Sequence, residues 1–579
     1  MKPIFYYLTI LSIVLSACAI PVEDPLTEQD YIDAWKKFHP SKALRQGMHD
    51  AAFFYEDRSE VTILEWQAFN RQMLSQLTDE EELSTSQDDI NKRLLKVQIE
   101  RELYLWENEK PQSKSLSFYT NFIDRAFNVV WSDDFLTATD KARLICNRLQ
   151  AVEKLCLAGT QQLETIKKDE LSKGLEVLGK NKRFYKEELL KKLQAEGIQA
   201  SCDDLEGVIK ETIEGIQELE AFLKESVQTD ESVANAILGR DEYARQLSLY
   251  LDMPSSPEQL AEQALKEIKD VRQLIGEKSL AYFQQEYPNQ AVPESIDEVI
   301  QITFTDMEND APANGEEYLK FWQDLSDAAI QFIEEKNIAT LPEYQTLRII
   351  PAPESAGPSA RIGWVDSAAP FDPNPVTTLY LPNIPDDFPE EEKKDFWSSF
   401  NKPFNRMIVI HELFPGHYMQ IKISRETAHP VRLLFPYGPY FEGWATFTER
   451  VALDEGWEAE NPLTFIAHLR KRLENANRAY TSVQVHCNGW DEEKVMEFST
   501  QTSLLAPQFA KSLWGRLMRS PMQMTSYFHG LVQFKELFKT EKERLGEKFD
   551  LQLFMDTIMK TGPIPIEEFK EIFRSTMPG

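Results

Sequence analysis

Ile408-Val-Ile-His-Glu-Leu-Phe-Pro-Gly-His417 is an apolar run that ends in a carboxylate between two imidazoles. An apolar lead-in of this kind is expected of a buried helix. A low-dielectric surround also strengthens the polarising effect of any ion held there. Downstream, Tyr440-Phe-Glu-Gly-Trp-Ala-Thr-Phe-Thr-Glu449 adds two more candidate carboxylates, Glu442 and Glu449. Together the two stretches offer what a catalytic zinc site needs: three protein ligands, one open position for water, and a neighbouring carboxylate as general base.

The spacing of the histidines is unusual. In a His-Glu-x-x-His helix they stand four apart on one face. His411 and His417 are six apart, which on a regular helix is roughly 600°, about 120° short of a full turn. Two undistorted helical residues at that spacing do not share an ion. Pro415 and Gly416 occupy the extra length, and both disrupt regular helix, one by losing a donor and the other by its backbone freedom. Two outcomes stand: a break that swings His417 back beside His411, or a helix ending at Phe414 with His417 in an ordinary turn.

Glu442 lies 25 residues beyond His417, far enough to come from a second helix. The segment Glu442-Gly-Trp-Ala-Thr-Phe-Thr-Glu449 resembles the N-E-G-F-A-x-x-x-E segment of the aminopeptidase N family. That resemblance implies Glu442 as third zinc ligand and Glu449 as a supporting acid. The two are seven residues apart and so lie on one side of a helix, and carboxylates commonly orient a ligating imidazole. A surface ion pair with Arg450 is the other reading of Glu449.

The combination H-E-x-x-P-G-H-x-x-Q, ending at Gln420 and followed by E-G-W-A, resembles a large bacterial family of zinc metallopeptidases long catalogued as a domain of unknown function. Many members are lipoproteins, and they look like relatives of the gluzincins, which bind zinc through two histidines and a glutamate. Dipeptidyl peptidase III, with one extra residue between its histidines, is a precedent for such insertions. The resemblance extends over residues 26–579 through His39-Pro-Ser-Lys-Ala-Leu-Arg-Gln-Gly-Met-His49, Leu238-Gly-Arg-Asp-Glu-Tyr243, Val485-His-Cys-Asn-Gly-Trp490 and Pro521-Met-Gln-Met-Thr-Ser-Tyr-Phe-His-Gly530. Ser482, Met522 and Phe528 depart from its pattern, standing where relatives carry aspartate, glycine and lysine. These changes leave the implied metal ligands intact and bear on substrate recognition and full activity.

A mechanism follows as an expectation: one Zn2+ held by His411, His417 and Glu442, with Glu412 as general base. His486 and Tyr527 are the candidates for stabilising the oxyanion of a peptide substrate, with Gln523 as a further donor. For each, a satisfied core or surface role is the plainer alternative. His39, His49, His429 and His468 carry no signal of their own. The sequence around His468, Phe465-Ile-Ala-His-Leu-Arg470, is explained by an amphipathic face.

Lys2, the apolar stretch Ile4 to Leu15, and Leu15-Ser-Ala-Cys18 read as an export signal over residues 1–17, too short to span a membrane. Cys18 sits where a bacterial lipobox would place the lipidated residue. That implies a lipid anchor followed by a linker over 18–25, and Ala19 favours the outer membrane in a Gram-negative cell, facing periplasm or surface. An ordinary cleaved signal with a chance cysteine is the alternative. Four cysteines remain, Cys146, Cys156, Cys202 and Cys487, and a chain this long can bury a core without staples, so buried free thiols are the default. A net charge of -32 argues against nucleic-acid binding, which needs a basic surface.

Apolar stripes at helical spacing fill the region 26–340: Leu95, Ile99, Leu103 and Trp106; Ile209, Ile213, Ile216 and Leu223; and Leu260, Ala264, Ile268, Val271 and Ile275. The last is entered through Ser256-Pro-Glu-Gln259, with the marks of a capping box. Near residue 340 the pattern turns to strands, at Thr346–Ile350, Arg361–Val365 and Thr377–Leu381. The expected fold is mainly α, a large helical zincin-like body around a deep cleft with a small sheet upstream of the zinc helix. Residues 341–579 form the catalytic region, packed with 26–340 as one body. An exposed edge of that sheet would suit an extended peptide, with Tyr380 and Asn383 either lining it or serving packing and a turn. Besides a peptidase, the chain is compatible with a non-catalytic lipoprotein that binds peptide or metal, or with a purely structural one. The sequence leaves oligomeric state open.

Overall fold

Ser256 opens the longest helix of the N-terminal half as its pattern requires. Its Oγ accepts the Gln259 N–H at 3.3 Å while Gln259 Oε1 accepts the Ser256 N–H at 2.9 Å. From there Pro257–Glu286 runs 30 residues and buries the stripe Leu260, Ala264, Ile268, Val271 and Ile275 along Pro462–Asn488. The computed structural model describes residues 26–78, 87–131, 135–230, 237–253, 256–385 and 387–577. The export signal and Cys18 lie outside them. The chain is mainly α, as expected. No helix among the described residues is long and apolar enough to cross a membrane.

Three large apolar cores organise the helices. One gathers Leu116–Trp131, Ala138–Gln162 and Leu205–Glu225 into a lobe, closed by a two-stranded parallel sheet of β1 (Thr165–Lys167) and β2 (Gln228–Asp230). A second joins Arg240–Leu251 and Pro257–Glu286 to the C-terminal half. The largest draws on residues from Tyr31 to Met577 and surrounds the His411 region. Inside the first lobe the expectation of free thiols is corrected. Ser201 N–H donates to Ala142 O, which lays the loop before Leu205 over the Ala138–Gln162 helix. Cys146 and Cys202 then come within 6.2 Å at Cα and form a disulfide. Cys156 and Cys487 are free thiols.

A second sheet has the order β3 (Leu347–Pro351), β5 (Thr377–Leu381), β4 (Trp364–Asp366), with β3 parallel and β4 antiparallel to β5. The expected strand at 361–365 starts late because Glu354–Arg361 coils into 3-10 turns first. β5 is central, so Tyr380 cannot line an open edge. Its ring instead stacks on Trp364, centroids 4.4 Å apart. Asn383 donates from Nδ2 to Ala352 O at 3.2 Å, a turn-closing role. The sheet is tied to the metal-motif helices by Tyr418, whose hydroxyl accepts the Thr346 N–H at 2.8 Å.

Candidate metal centre

The motif helix, α1 (Lys402–Glu412), is started by Asn401, whose side chain accepts the Phe404 N–H at 3.0 Å. Its inner face is held by Asn405. The Asn405 Oδ1 takes hydrogen bonds from Tyr318 Oη at 2.9 Å and Trp322 Nε1 at 3.1 Å. α1 ends at Glu412, and α2 (His417–Thr427) starts with the second histidine. The four residues between fold back so tightly that a Cβ on Gly416 would lie 1.9 Å from His411 O. Only glycine fits there. Trp444 clamps the turn from outside, donating from Nε1 to Pro415 O at 2.9 Å. The break therefore brings the rings of His411 and His417 together, centroids 4.9 Å apart and nearly perpendicular.

Glu442 enters from the first turn of α3 (Pro439–Asp454). Its Oε2 lies 3.6 Å from His411 Nε2 and 3.5 Å from His417 Nε2, and the three donor atoms all fall within 4.8 Å of one another. The two separations from Glu442 match the roughly 3.4 Å between donors about 2.1 Å from a tetrahedral ion, so this cluster has the donor types and the reach for one zinc-sized ion with a fourth position left over. Behind the cluster, His411 Nδ1–H donates to Glu449 Oε1 at 2.7 Å, which turns Nε2 toward Glu442 and His417. Glu449 is fully buried, and Arg450 pairs with Asp454 instead. Of the two readings of Glu449, the one that orients an imidazole is realised.

Electrostatics follow from this crowding. Burial opposes charge on His411, yet the Glu442 and Glu449 carboxylates beside it hold its pKa up at about 10 when no ion competes. Burial likewise opposes charge on Glu442, but the two imidazoles keep its carboxyl well below the usual range. Glu449 is lowered in the same way, against burial, by His411 and His468. Glu412 is half-buried at the end of α1, adjacent to His411.

Three further helices pack on one another, two of them also against α3: α4 (Pro462–Asn488), α5 (Pro507–Arg519) and α6 (Pro521–Leu545). α6 crosses α3 with backbones in contact at Gly443 and Gly530. This brings Tyr527, one turn earlier, toward Glu442. Burial and the Glu442 charge push the phenol up to about 12, keeping it a proton donor, although Arg478 and Arg516 pull the other way. The Arg478 guanidinium lies 4.6 Å from the centre of the Tyr527 ring.

His486 is corrected. Its Nδ1 accepts the Leu238 N–H at 3.3 Å, its Nε2–H donates to Leu517 O at 3.1 Å, and its ring stacks on Tyr243. Both nitrogens are occupied by backbone, so His486 fastens α4 to α5 and has no donor for an oxyanion. Gln523 is exposed at the start of α6, and its side chain has no hydrogen bond to the cluster. His529 donates from Nε2 to Leu251 O at 3.1 Å, again a packing role. Tyr380, in the sheet, stacks on Trp364 as described. The departures from the family pattern are absorbed by packing. Ser482 accepts from Tyr243 Oη at 2.9 Å, and Met522 and Phe528 sit in an apolar core. What sequence reasoning missed is His468, fully buried on α4, whose Nδ1–H donates to the second oxygen of Glu449 at 2.6 Å. It also missed Arg478 and Asn405.

The sequence pattern of a bacterial family of unknown function, DUF885, matches residues 40–572. The chain belongs to the DUF885 family. Two solved structures share its fold across 94% of this chain and 98% of theirs. One is described as a "putative lipoprotein of unknown function" from Shewanella oneidensis, with TM-score 0.81 and 19% identity. The other is described as a "putative lipoprotein" from Colwellia psychrerythraea, with TM-score 0.67 and 17% identity. No curated protein matches the chain. For a DUF885 chain, then, any activity has to be argued from the site itself.

Proposed function

We propose that this chain is a zinc-dependent peptidase of gluzincin type, acting on short peptides and tethered to the bacterial envelope through lipid on Cys18. The observation that carries the reading is the convergence of His411, His417 and Glu442, with Glu442 Oε2 within 3.6 Å of both imidazoles and Glu449 bonded to His411 Nδ1. Bound there, zinc supplies Lewis-acid polarisation of a carbonyl and a lowered pKa for water. Glu412 takes the proton of the attacking water and hands it to the leaving amine. The Tyr527 hydroxyl donates a hydrogen bond to the oxygen on which negative charge develops. His411, His417 and Glu442 would hold the ion, the first two through Nε2 and the third through a carboxylate oxygen. The lipid tether is supported by Leu15-Ser-Ala-Cys18 and by the names given to the two structural neighbours.

The test measures zinc content and turnover of a quenched peptide library in the purified protein, beside Glu412→Ala. One zinc per chain in both proteins, with cleavage lost only in the variant, is the expected result. Zinc without turnover in the parent protein would favour a peptide- or metal-binding lipoprotein, the reading to which Ser482, Met522 and Phe528 lend weight. Absence of zinc in the parent, with folding unaffected by chelator, would favour a purely structural lipoprotein.

A further inference from the structure

Glu449 is a buried carboxylate with an imidazole on each oxygen. His411 Nδ1 lies 2.7 Å from Oε1 and His468 Nδ1 lies 2.6 Å from Oε2. The three residues come from three helices, α1, α3 and α4. Neither His468 nor Glu449 reaches solvent. The other ring nitrogen of His468, Nε2, is buried with no hydrogen-bond partner.

We propose that His468 is a positioning residue for the metal centre, acting through Glu449 to hold the His411 ring in the orientation that binds the ion. The inference rests on the zinc reading above and deepens it. A carboxylate bonded on one oxygen alone can pivot about its terminal torsion, which is broad. Bonded on both oxygens from different helices, its plane is fixed, and so is the direction from which His411 is gripped. The bare Nε2 of His468 identifies its tautomer. Nδ1 must carry a proton to donate to a carboxylate, and a second proton on Nε2 would be a buried donor with nothing to receive it. A neutral ring with its proton on Nδ1 satisfies both conditions, and burial, which lowers the His468 pKa, favours the same state. The arrangement thus extends the common pairing of a carboxylate behind a ligating histidine by one further imidazole.

The test compares the full-length protein with His468→Phe, which removes the donor, and His468→Gln, whose side-chain amide can restore it. Zinc affinity is read by competition with a chelator, and ligand orientation by the visible spectrum of the cobalt(II)-loaded protein. Phe at this position is expected to weaken zinc binding about 10- to 100-fold and to shift the cobalt spectrum, and Gln to recover most of both. A folded His468→Phe protein that binds zinc within about twofold of the parent would overturn the proposal. If that variant does not fold, the parent decides: nitrogen NMR of labelled histidines is expected to find His468 protonated on Nδ1 and bare on Nε2. The reverse tautomer would overturn the proposal. Absence of zinc in the parent would sink the peptidase reading along with this one, an outcome distinct from unchanged affinity in the variant.

Discussion

Gly443 of α3 and Gly530 of α6 lie backbone against backbone: a Cβ on Gly443 would come within 2.5 Å of the Gly530 carbonyl carbon, and one on Gly530 within 2.1 Å of Pro439 O. The contact sets the distance between the helix that carries Glu442 and the helix that carries Tyr527. Gly443→Ala must push α3 and α6 apart, because the obstacle is backbone and cannot rotate away. Overpacking of this sort costs about 1–3 kcal/mol. A lowered thermal midpoint, with zinc retained and peptide turnover reduced, is expected. A variant as stable and as active as the parent would show that the crossing does not matter.

Tyr527 is expected to act on the transition state and not on the ion. Tyr527→Phe should lower kcat by about 10²–10³, the usual effect of losing one oxyanion donor, with little change in KM or zinc affinity. Steady-state kinetics with one quenched peptide and a parallel zinc titration decide this. A fall in zinc affinity without a fall in kcat would assign the phenol to holding Glu442 instead.

His486, by contrast, should matter to stability alone. His486→Phe keeps the bulk but strips the Leu238 N–H and the Leu517 carbonyl of their partner. Leaving buried polar groups unpaired costs about 1–3 kcal/mol. Chemical denaturation should report that loss, while kcat per folded molecule stays near the parent value. A selective collapse of kcat at unchanged stability would return His486 to the reaction.

Zinc uptake should depend on pH through His411. In the metal-free protein its pKa is raised from 6.5 to about 10, so across the neutral range the incoming ion must displace a proton from that ring. Apparent affinity should therefore rise by about tenfold per pH unit between about pH 7 and pH 9, one proton being released per ion. The sign for stability without metal is opposite. A raised histidine pKa contributes fully below 6.5, and that contribution fades as pH climbs toward about 10. The lowered Glu442 and Glu449 contribute above the ordinary carboxylate range and lose their effect as pH falls through and below it. Chelator competition and thermal melts across this range check both limbs. Zinc affinity independent of pH would mean that His411 is not the proton carrier.

Helical stripes such as Leu260, Ala264, Ile268, Val271 and Ile275 were legible because burial on one face repeats with the period of the helix itself. The capping box at Ser256 was legible because its partners are three residues apart. The candidate metal cluster belongs with these: His411, His417 and Glu442 were named from residue type and local pattern, and Pro415-Gly416 marked where the helix had to break. Strand order has no such local signature, so Tyr380 could be assigned to a strand, but that strand could not be assigned to the middle of its sheet. His486 stood out through the motif around it and His468 did not, yet the fold reverses their weight. His486 finds two backbone groups and His468 finds Glu449, partners that no stretch of a few residues around either could show.

The amino-acid order by itself determined which side chains can ligate an ion, where the helices begin, and that the chain is mainly α. All of these depend on neighbours within about two helical turns. Only the tertiary structure decided that Gly416 tucks under His411 and that Gly443 meets Gly530. It also decided that His468 backs Glu449, and that Cys146 lies against Cys202. Each of those joins residues whose meeting depends on how whole helices cross, a property of the packed core and not of any short stretch of chain.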